Sequence, residues 1–159
     1  MIKQKHFDVE LFLIFVCNFH ISKFSFSEDN RLYNSCLFIL NDKNRIEFRV
    51  GKRTPAKDGH FVVFWKRDEQ LESIPFDIDD EVDFFMVYVR DDSSSRHGYF
   101  LIPKSVLAEK EIISISKKGG KRGFRLYAPW VLVGNSQARC SQLWQINYFF
   151  ELSYPVLNI

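Results

Sequence analysis

The chain has 159 residues, of which 46% are apolar and 26% charged, and its 22 basic and 20 acidic side chains give a formal charge of +2. A chain of this length buries about two-thirds of its unfolded surface, which predicts a single domain over residues 1–159 and excludes a two-domain enzyme with a separate cofactor module. Its 17 Phe, 6 Tyr and 3 Trp exclude a disordered protein, because disordered chains lack the apolar mass that offsets the entropy of ordering.

The cysteines and the apolar runs indicate a cytoplasmic protein without a membrane segment. Cys17, Cys36 and Cys140 are widely spaced and form no CxxC pair, which favours reduced thiols over disulfides or a zinc site. The longest apolar run, residues 11–17, is far shorter than the about 20 residues of a membrane span. Acidic residues interrupt the N-terminal apolar stretch, which argues against a signal peptide.

The predicted elements begin with a helix over residues 6–20, which is apolar nearly all round from Leu11 and therefore expected to be buried. Strand-like segments follow, separated by turn compositions and by an acidic loop. The predicted strands cover residues 36–40, 46–50, 60–67, 84–89, 99–102, 112–115 and 124–127.

The clearest strand is residues 46–50, because polar and apolar residues alternate strictly. Alternate residues of a strand point to opposite faces, so we expect Ile46 and Phe48 inside and Glu47 and Arg49 outside.

The second half of the chain adds a central strand and two helices. The six uninterrupted apolar residues at 84–89 predict a strand covered on both faces. Pro103 suits the first turn of a short helix over residues 105–110. Asn135 or Ser136 is the expected cap of a longer helix that reaches about residue 151.

This order of elements predicts an α/β (α+β) domain, in which N- and C-terminal helices flank one twisted mixed sheet. The alternative is an all-β barrel decorated by two helices. We find no internal repeat and no low-complexity segment in the sequence.

Charge is segregated along the chain. Residues 45–67 carry seven cations against two acids, residues 117–125 carry five cations and no acid, and residues 68–92 hold ten of the 20 acids. A basic face binds polyanions, because each neutralised phosphate releases counterions. We therefore predict that the two basic stretches meet on one surface and bind DNA or RNA. The predicted contact residues are Arg49, Lys52, Lys57, Lys66, Arg67, Lys121, Arg122 and Arg125.

Features near these cations fit the same prediction. Gly119 and Gly120 give the second basic stretch the backbone freedom to approach a phosphate. Trp65, Tyr127 and Trp130 offer ring faces for unpaired bases. In the alternative interpretation, the cations pair with the acidic loop and the rings belong to the core.

Catalysis has weak support in the sequence. A metal-dependent nuclease needs converging carboxylates and a Lys that orients water. Residues 47–49 have Glu-x-Lys spacing with Arg in place of Lys, and the residue two before Lys52 is Val50 rather than an acid. Glu47 and Lys52 are therefore weak catalytic candidates.

No metal or cofactor is predicted. The four histidines show no HxxxH or HxH spacing. Cys36 and Cys140 fall in elements that we expect to be buried, which predicts inert thiols. Phosphate-binding and dinucleotide-binding glycine motifs do not occur.

Several strings together resemble the MepB family, a bacterial family. They are FRVGK at 48–52, TPAK at 54–57, GHFVVFWKR at 59–67, FLIPKSVL at 100–107, GKRGFRLY at 120–127 and WQINYF at 144–149. The resemblance covers about residues 30–151 and implies a restriction-endonuclease-like fold, no established enzymatic activity and a nucleic-acid-binding role. The polar positions that match the family are the eight basic residues predicted above as contacts, together with Thr54, Trp65 and Lys104.

The function predicted from the residues and the resemblance is non-catalytic nucleic-acid binding. The alternatives are a degenerate metal-dependent nuclease and a protein or small-molecule interaction module linked to drug response. The oligomeric state stays open at this point.

Overall fold

The computed structural model describes residues 20–26 and 35–153. The helix predicted for residues 6–20 lies outside the described residues, except for His20. Cys17 lies outside them as well. The strands are β1 Ile21–Phe26, β2 Cys36–Leu40, β3 Asn44–Val50, β4 Lys52–Thr54, β5 Lys57–Val63, β6 Lys66–Arg67, β7 Ser73–Ile74, β8 Phe84–Asp91, β9 Arg96–Pro103, β10 Gly123–Leu126 and β11 Phe149–Leu152. The helices are α1 Lys104–Glu109 and α2 Ser136–Gln145, and a 3₁₀ turn covers Ile146–Tyr148.

The main sheet has six strands in the order β1-β2-β3-β8-β9-β11. β3 and β8 are parallel and the other neighbours antiparallel, so the sheet is mixed. A parallel pair needs a long crossover. The segment between β3 and β8 contains β4 and β5, two of the three strands of a smaller sheet, and the two-stranded sheet of β6 and β7. The prediction of a mixed α+β domain is thereby confirmed.

The small sheet has the order β10-β5-β4 and packs against the main sheet. Phe64 directly follows β5. Its ring centroid lies 4.7 Å from the ring centroid of Phe85 in β8 and 5.2 Å from that of Phe124 in β10. Phe85, Met86 and Val87 are each 1% exposed. The prediction that residues 84–89 form a strand covered on both faces is confirmed.

The prediction that Glu47 and Arg49 point outward is wrong, because the second face of β3 is also covered. Glu47 pairs in register with Phe85, and Arg49 pairs with Val87, so both charged side chains lie on the face that the small sheet covers. Arg49 is only 2% exposed. The alternation correctly separated two faces, but it could not show that a second layer packs on the polar one.

Two predicted strands differ in the structure. Residues 60–67 do not form one strand, because β5 joins the small sheet and β6 pairs with β7 in a separate two-stranded sheet. Residues 112–115 form only isolated bridges, including Asp77 to Ser114. The Ser114 amide donates to the Phe76 carbonyl at 2.7 Å, so this buried segment pairs with a loop instead of a sheet.

The C-terminal helix is capped as predicted but is shorter. The Asn135 side chain accepts a hydrogen bond from the Ala138 amide at 2.8 Å. The helix ends at Gln145, and the chain then enters β11, where Phe149 pairs with Phe100 of β9. Cys140 is exposed, contrary to the expectation that it is buried, whereas Cys36 is buried as predicted.

Candidate nucleic-acid interface

The eight predicted contact residues fall into three environments. Arg49 lies inside the protein. Lys66 and Arg67 lie beside acidic side chains. The remaining residues belong to the small sheet and its flanking loops, and they are Lys52, Lys57, Lys121, Arg122 and Arg125.

Arg49 is committed to a buried ion pair. Its guanidinium pairs with the Glu47 carboxylate and donates to the Phe48 carbonyl at 2.9 Å. The guanidinium carbon lies 5.4 Å from the ring centroid of Phe76. Burial raises the pKa of Glu47 above its ordinary value, and the charge of Arg49 only partly offsets this effect. These two side chains stabilise the interior and are not available to a ligand.

Lys66 and Arg67 contact the acidic loop over residues 68–83, as the alternative interpretation of the basic residues predicts. Lys66 forms an ion pair with Asp80. Arg67 donates to the Leu71 carbonyl at 2.6 Å and lies 5.2 Å from the ring centroid of Trp65. Both residues line a groove of about 990 Å³. The acidic residues of this groove are Asp68, Glu69, Asp77, Asp79 and Asp80.

The outer face of the small sheet combines cations with an exposed ring. Phe61 of β5 pairs in register with Lys52 of β4 on one side and with Arg125 of β10 on the other, so the three side chains share a face. Phe61 is 37% exposed. The guanidinium carbon of Arg125 lies 5.7 Å from the ring centroid of Phe61.

Gly123 makes room for this ring. A Cβ atom at Gly123 would lie 2.5 Å from the Cζ atom of Phe61, closer than real contacts allow. The ring therefore lies over the glycine backbone on one side and beside the Arg125 guanidinium on the other, which holds it in one place on the sheet face.

The two basic stretches meet at a cavity of about 600 Å³ beside this sheet. Lys57 comes from the first stretch, and Lys121 and Arg125 come from the second. Lys110, which follows α1, adds a fourth cation to the lining, and Asp58 is the acidic residue among the lining side chains. The predicted convergence of the stretches is thus present for these three residues.

One glycine of the second stretch, Gly120, has a packing role. Gly120 has φ +81°, and a Cβ there would lie 2.7 Å from the Cβ of Pro75 and 2.8 Å from the Ser114 amide nitrogen. The loop therefore needs glycine at this position to pack against the chain, whatever ligand it binds.

Comparison with known proteins gives the chain a family. The model of the family described as MepB-like matches residues 27–151, which is most of the chain. The chain belongs to the MepB-like family. A crystal structure of MepB matches with 30% sequence identity and a TM-score of 0.80, covering 92% of this chain and 96% of that chain. No curated protein matches this chain. The predicted family is confirmed, and the restriction-endonuclease-like relationship stays a prediction.

Sequence reasoning missed three residues of the site in this MepB-like chain. Phe61 lies in the predicted strand over residues 60–67, at the alternate position between His60 and Val62, which are buried. Lys110 lies outside both basic stretches. Gln145 is 1% exposed, and nothing in the sequence distinguishes it from a surface glutamine.

Gln145 fixes the helix to the small sheet. Its side-chain oxygen accepts from the Tyr127 amide at 2.8 Å, and its side-chain nitrogen donates to the Arg125 carbonyl at 2.9 Å. A buried amide with both groups paired specifies one relative position of two elements. The position of Arg125 therefore depends on α2.

The two weak catalytic candidates lie apart in the architecture. Glu47 is buried against Arg49 in the main sheet, whereas Lys52 is exposed on the small sheet.

Within residues 20–26 and 35–153, no group of three or more His, Cys, Asp or Glu side chains could hold a metal ion. None of the helices in this part of the chain has the length and apolar character of a membrane span.

Proposed function

We propose that this MepB-like protein binds nucleic acid, without cleaving it, through a basic face formed by Lys52, Lys57, Phe61, Lys121 and Arg125. The observation that supports the proposal is the position of Arg125. Its guanidinium carbon lies 5.7 Å from the centroid of the exposed Phe61 ring, and Arg125 also lines the cavity together with Lys57 and Lys121. Cations from two distant stretches and an exposed ring are thereby joined on one surface.

Each component has a physical role. Lys and Arg side chains neutralise phosphates and release counterions, which gives affinity without sequence preference. An exposed ring beside cations offers a stacking surface for a base, worth about 1–3 kcal/mol per base. Because bases in a duplex already stack on one another, this face is expected to prefer single-stranded DNA or RNA.

The non-catalytic part of the proposal rests on Glu47. Its carboxylate is paired with Arg49 in the interior and cannot serve a solvent-exposed metal ion or water. Arg49, Lys66 and Arg67 are left out of the proposed face, because Arg49 is paired inside the protein and the other two contact Asp80 and the Leu71 carbonyl. Arg122 is exposed but does not line the cavity, and it is left out as well.

A salt titration of binding tests the proposal. Fluorescence anisotropy with single-stranded and duplex oligonucleotides, with and without Mg²⁺, would be measured from low to physiological salt. We expect Mg²⁺-independent binding that weakens steeply with salt. The combined change of Lys52→Ala and Lys121→Ala should flatten the logarithmic salt slope by about 1.4, since each lost single-strand phosphate contact removes about 0.7.

Matched controls separate the face from total charge. Lys43→Ala removes one charge from an exposed position in the β2–β3 turn, as Lys52→Ala or Lys121→Ala does alone, and should leave the slope almost unchanged where each of those lowers it by about 0.7. Phe61→Ala should weaken single-strand binding more than duplex binding. An unchanged slope in the double variant would refute the proposed face. Mg²⁺-dependent cleavage that Glu47→Gln abolishes would support a nuclease instead.

A further inference from the structure

The cavity of about 600 Å³ beside the small sheet has an uneven charge balance. Four cationic side chains line it, Lys57, Lys110, Lys121 and Arg125, against the single carboxylate of Asp58. The formal charge of the lining is therefore +3. The Asp58 carboxylate also accepts from the Gly134 amide at 3.0 Å, so one of its oxygens is already engaged.

Two of the four cations, Arg125 and Lys110, contact groups at the cavity edge. Arg125 donates to the Thr54 hydroxyl at 2.7 Å and to the Asp58 carbonyl at 3.1 Å, which fixes its guanidinium. The Lys110 ammonium lies 5.8 Å from the ring centroid of Trp144 and 3.1 Å from the Glu109 carboxylate. Glu109 has 70% of its side chain exposed and Lys110 35%, and ion pairs with an exposed partner contribute at most about 1 kcal/mol, so Glu109 holds Lys110 only weakly.

The remaining walls fit one nucleoside. Trp144 and Tyr127 supply ring faces, and Gln137 and Ser141 supply amide and hydroxyl groups that can pair with the edge of a base. Small-molecule sites occupy about 300–1,000 Å³, so a cavity of this size accepts a single nucleotide but not a duplex.

We propose that this cavity binds a nucleoside 5′-phosphate, presented either as the terminal nucleotide of a strand or as a free mononucleotide. A terminal phosphate carries about −1.5 to −2 at neutral pH, compared with −1 for an internal phosphodiester. A +3 lining therefore favours a strand end over an internal position. The strand-end form rests on the proposed function, whereas the free-nucleotide form does not.

The test compares oligonucleotide ends and a mononucleotide. Binding of a single-stranded oligonucleotide with a 5′-phosphate, the same oligonucleotide with a 5′-hydroxyl, and adenosine 5′-monophosphate would be measured by calorimetry. We expect the 5′-phosphate to tighten binding by about tenfold, which corresponds to one charge-assisted hydrogen bond. Lys110→Gln should abolish this preference, whereas Lys52→Gln, on the sheet face outside the cavity, should weaken both oligonucleotides equally and preserve the ratio.

The outcomes separate the two proposals. Equal affinity for both oligonucleotides without mononucleotide binding overturns the cavity proposal and leaves the proposed function standing. Mononucleotide binding that Lys110→Gln weakens, without oligonucleotide binding, supports the cavity proposal and refutes nucleic-acid binding. Inorganic phosphate that binds as tightly as the mononucleotide overturns the nucleoside part of the inference.

Discussion

The Arg49→Met variant should unfold far more easily than the natural protein, because it leaves the Glu47 carboxylate buried without its partner. Arg49 and Glu47 have only 3% and 14% of their side chains exposed, so water cannot replace the lost interaction. Removing one partner of a buried ion pair costs about 3–5 kcal/mol. For a protein of this size, that corresponds to a fall in Tm of about 6–20 °C.

The pH dependence identifies the cause of the loss. Burial already raises the pKa of Glu47, and removing Arg49 removes the charge and hydrogen bond that lower it, so the pKa rises further in the variant. A carboxyl with a raised pKa in the folded protein holds its proton to higher pH than the unfolded chain does. The stabilisation that comes from holding this proton is therefore complete at low pH and is lost as pH rises through the pKa of the folded state.

Urea unfolding at pH 5 and pH 8 provides the assay. The destabilisation caused by Arg49→Met should be larger at pH 8 than at pH 5. In the double variant Glu47→Gln with Arg49→Met, the extra loss at pH 8 should disappear, because no carboxylate is left to ionise. A cost below about 1 kcal/mol at pH 8, the size of an exposed pair, would contradict the assignment of a buried pair.

Further predictions concern packing, capping and thiol chemistry. Gly98→Ala should lower the free energy of unfolding by about 1–3 kcal/mol in a chemical unfolding experiment, because its Cβ would lie 2.4 Å from the Phe150 carbonyl oxygen. Gly119→Ala should lower it by less, despite a φ of +75°, because its Cβ would meet nothing within 4 Å. Asn135→Ala should cost about 1 kcal/mol through the lost helix cap, whereas Asn135→Ser should retain most of the stability. In the native protein, iodoacetamide should modify the exposed Cys140 and spare Cys36, whose burial raises its thiol pKa, as peptide mass mapping would show. Equal labelling of the two thiols would contradict their placement.

Local features of the chain were predictable because they depend on neighbouring residues. The apolar run at 84–89, the alternation at 46–50 and the Asn135 cap each express a preference within one element, and each is found in the structure. The clustering of cations in two stretches was also readable from the sequence, as were the strings that resemble the MepB family.

The predicted helix to residue 151 failed for a non-local reason. The ring-rich segment after Gln145 suits either a helix or a strand by composition. It becomes β11 because Phe149 and Glu151 find hydrogen-bonding partners in β9, about 50 residues earlier in the chain. Pairing with a distant strand overrode the local helical preference.

Residue order and composition are sufficient to show that this chain carries concentrated positive charge, abundant rings and the strands of a mixed α+β domain. Which cations face outward depends on how the sheets pack. Arg49 is buried because the Phe76 ring and the Trp65 backbone carbonyl lie against its guanidinium. Lys57 and Lys121 line one cavity, although the antiparallel register of β5 and β10 places them toward opposite ends of this pair. Burial and convergence depend on contacts between distant segments, and these contacts are set by the packing of two sheets.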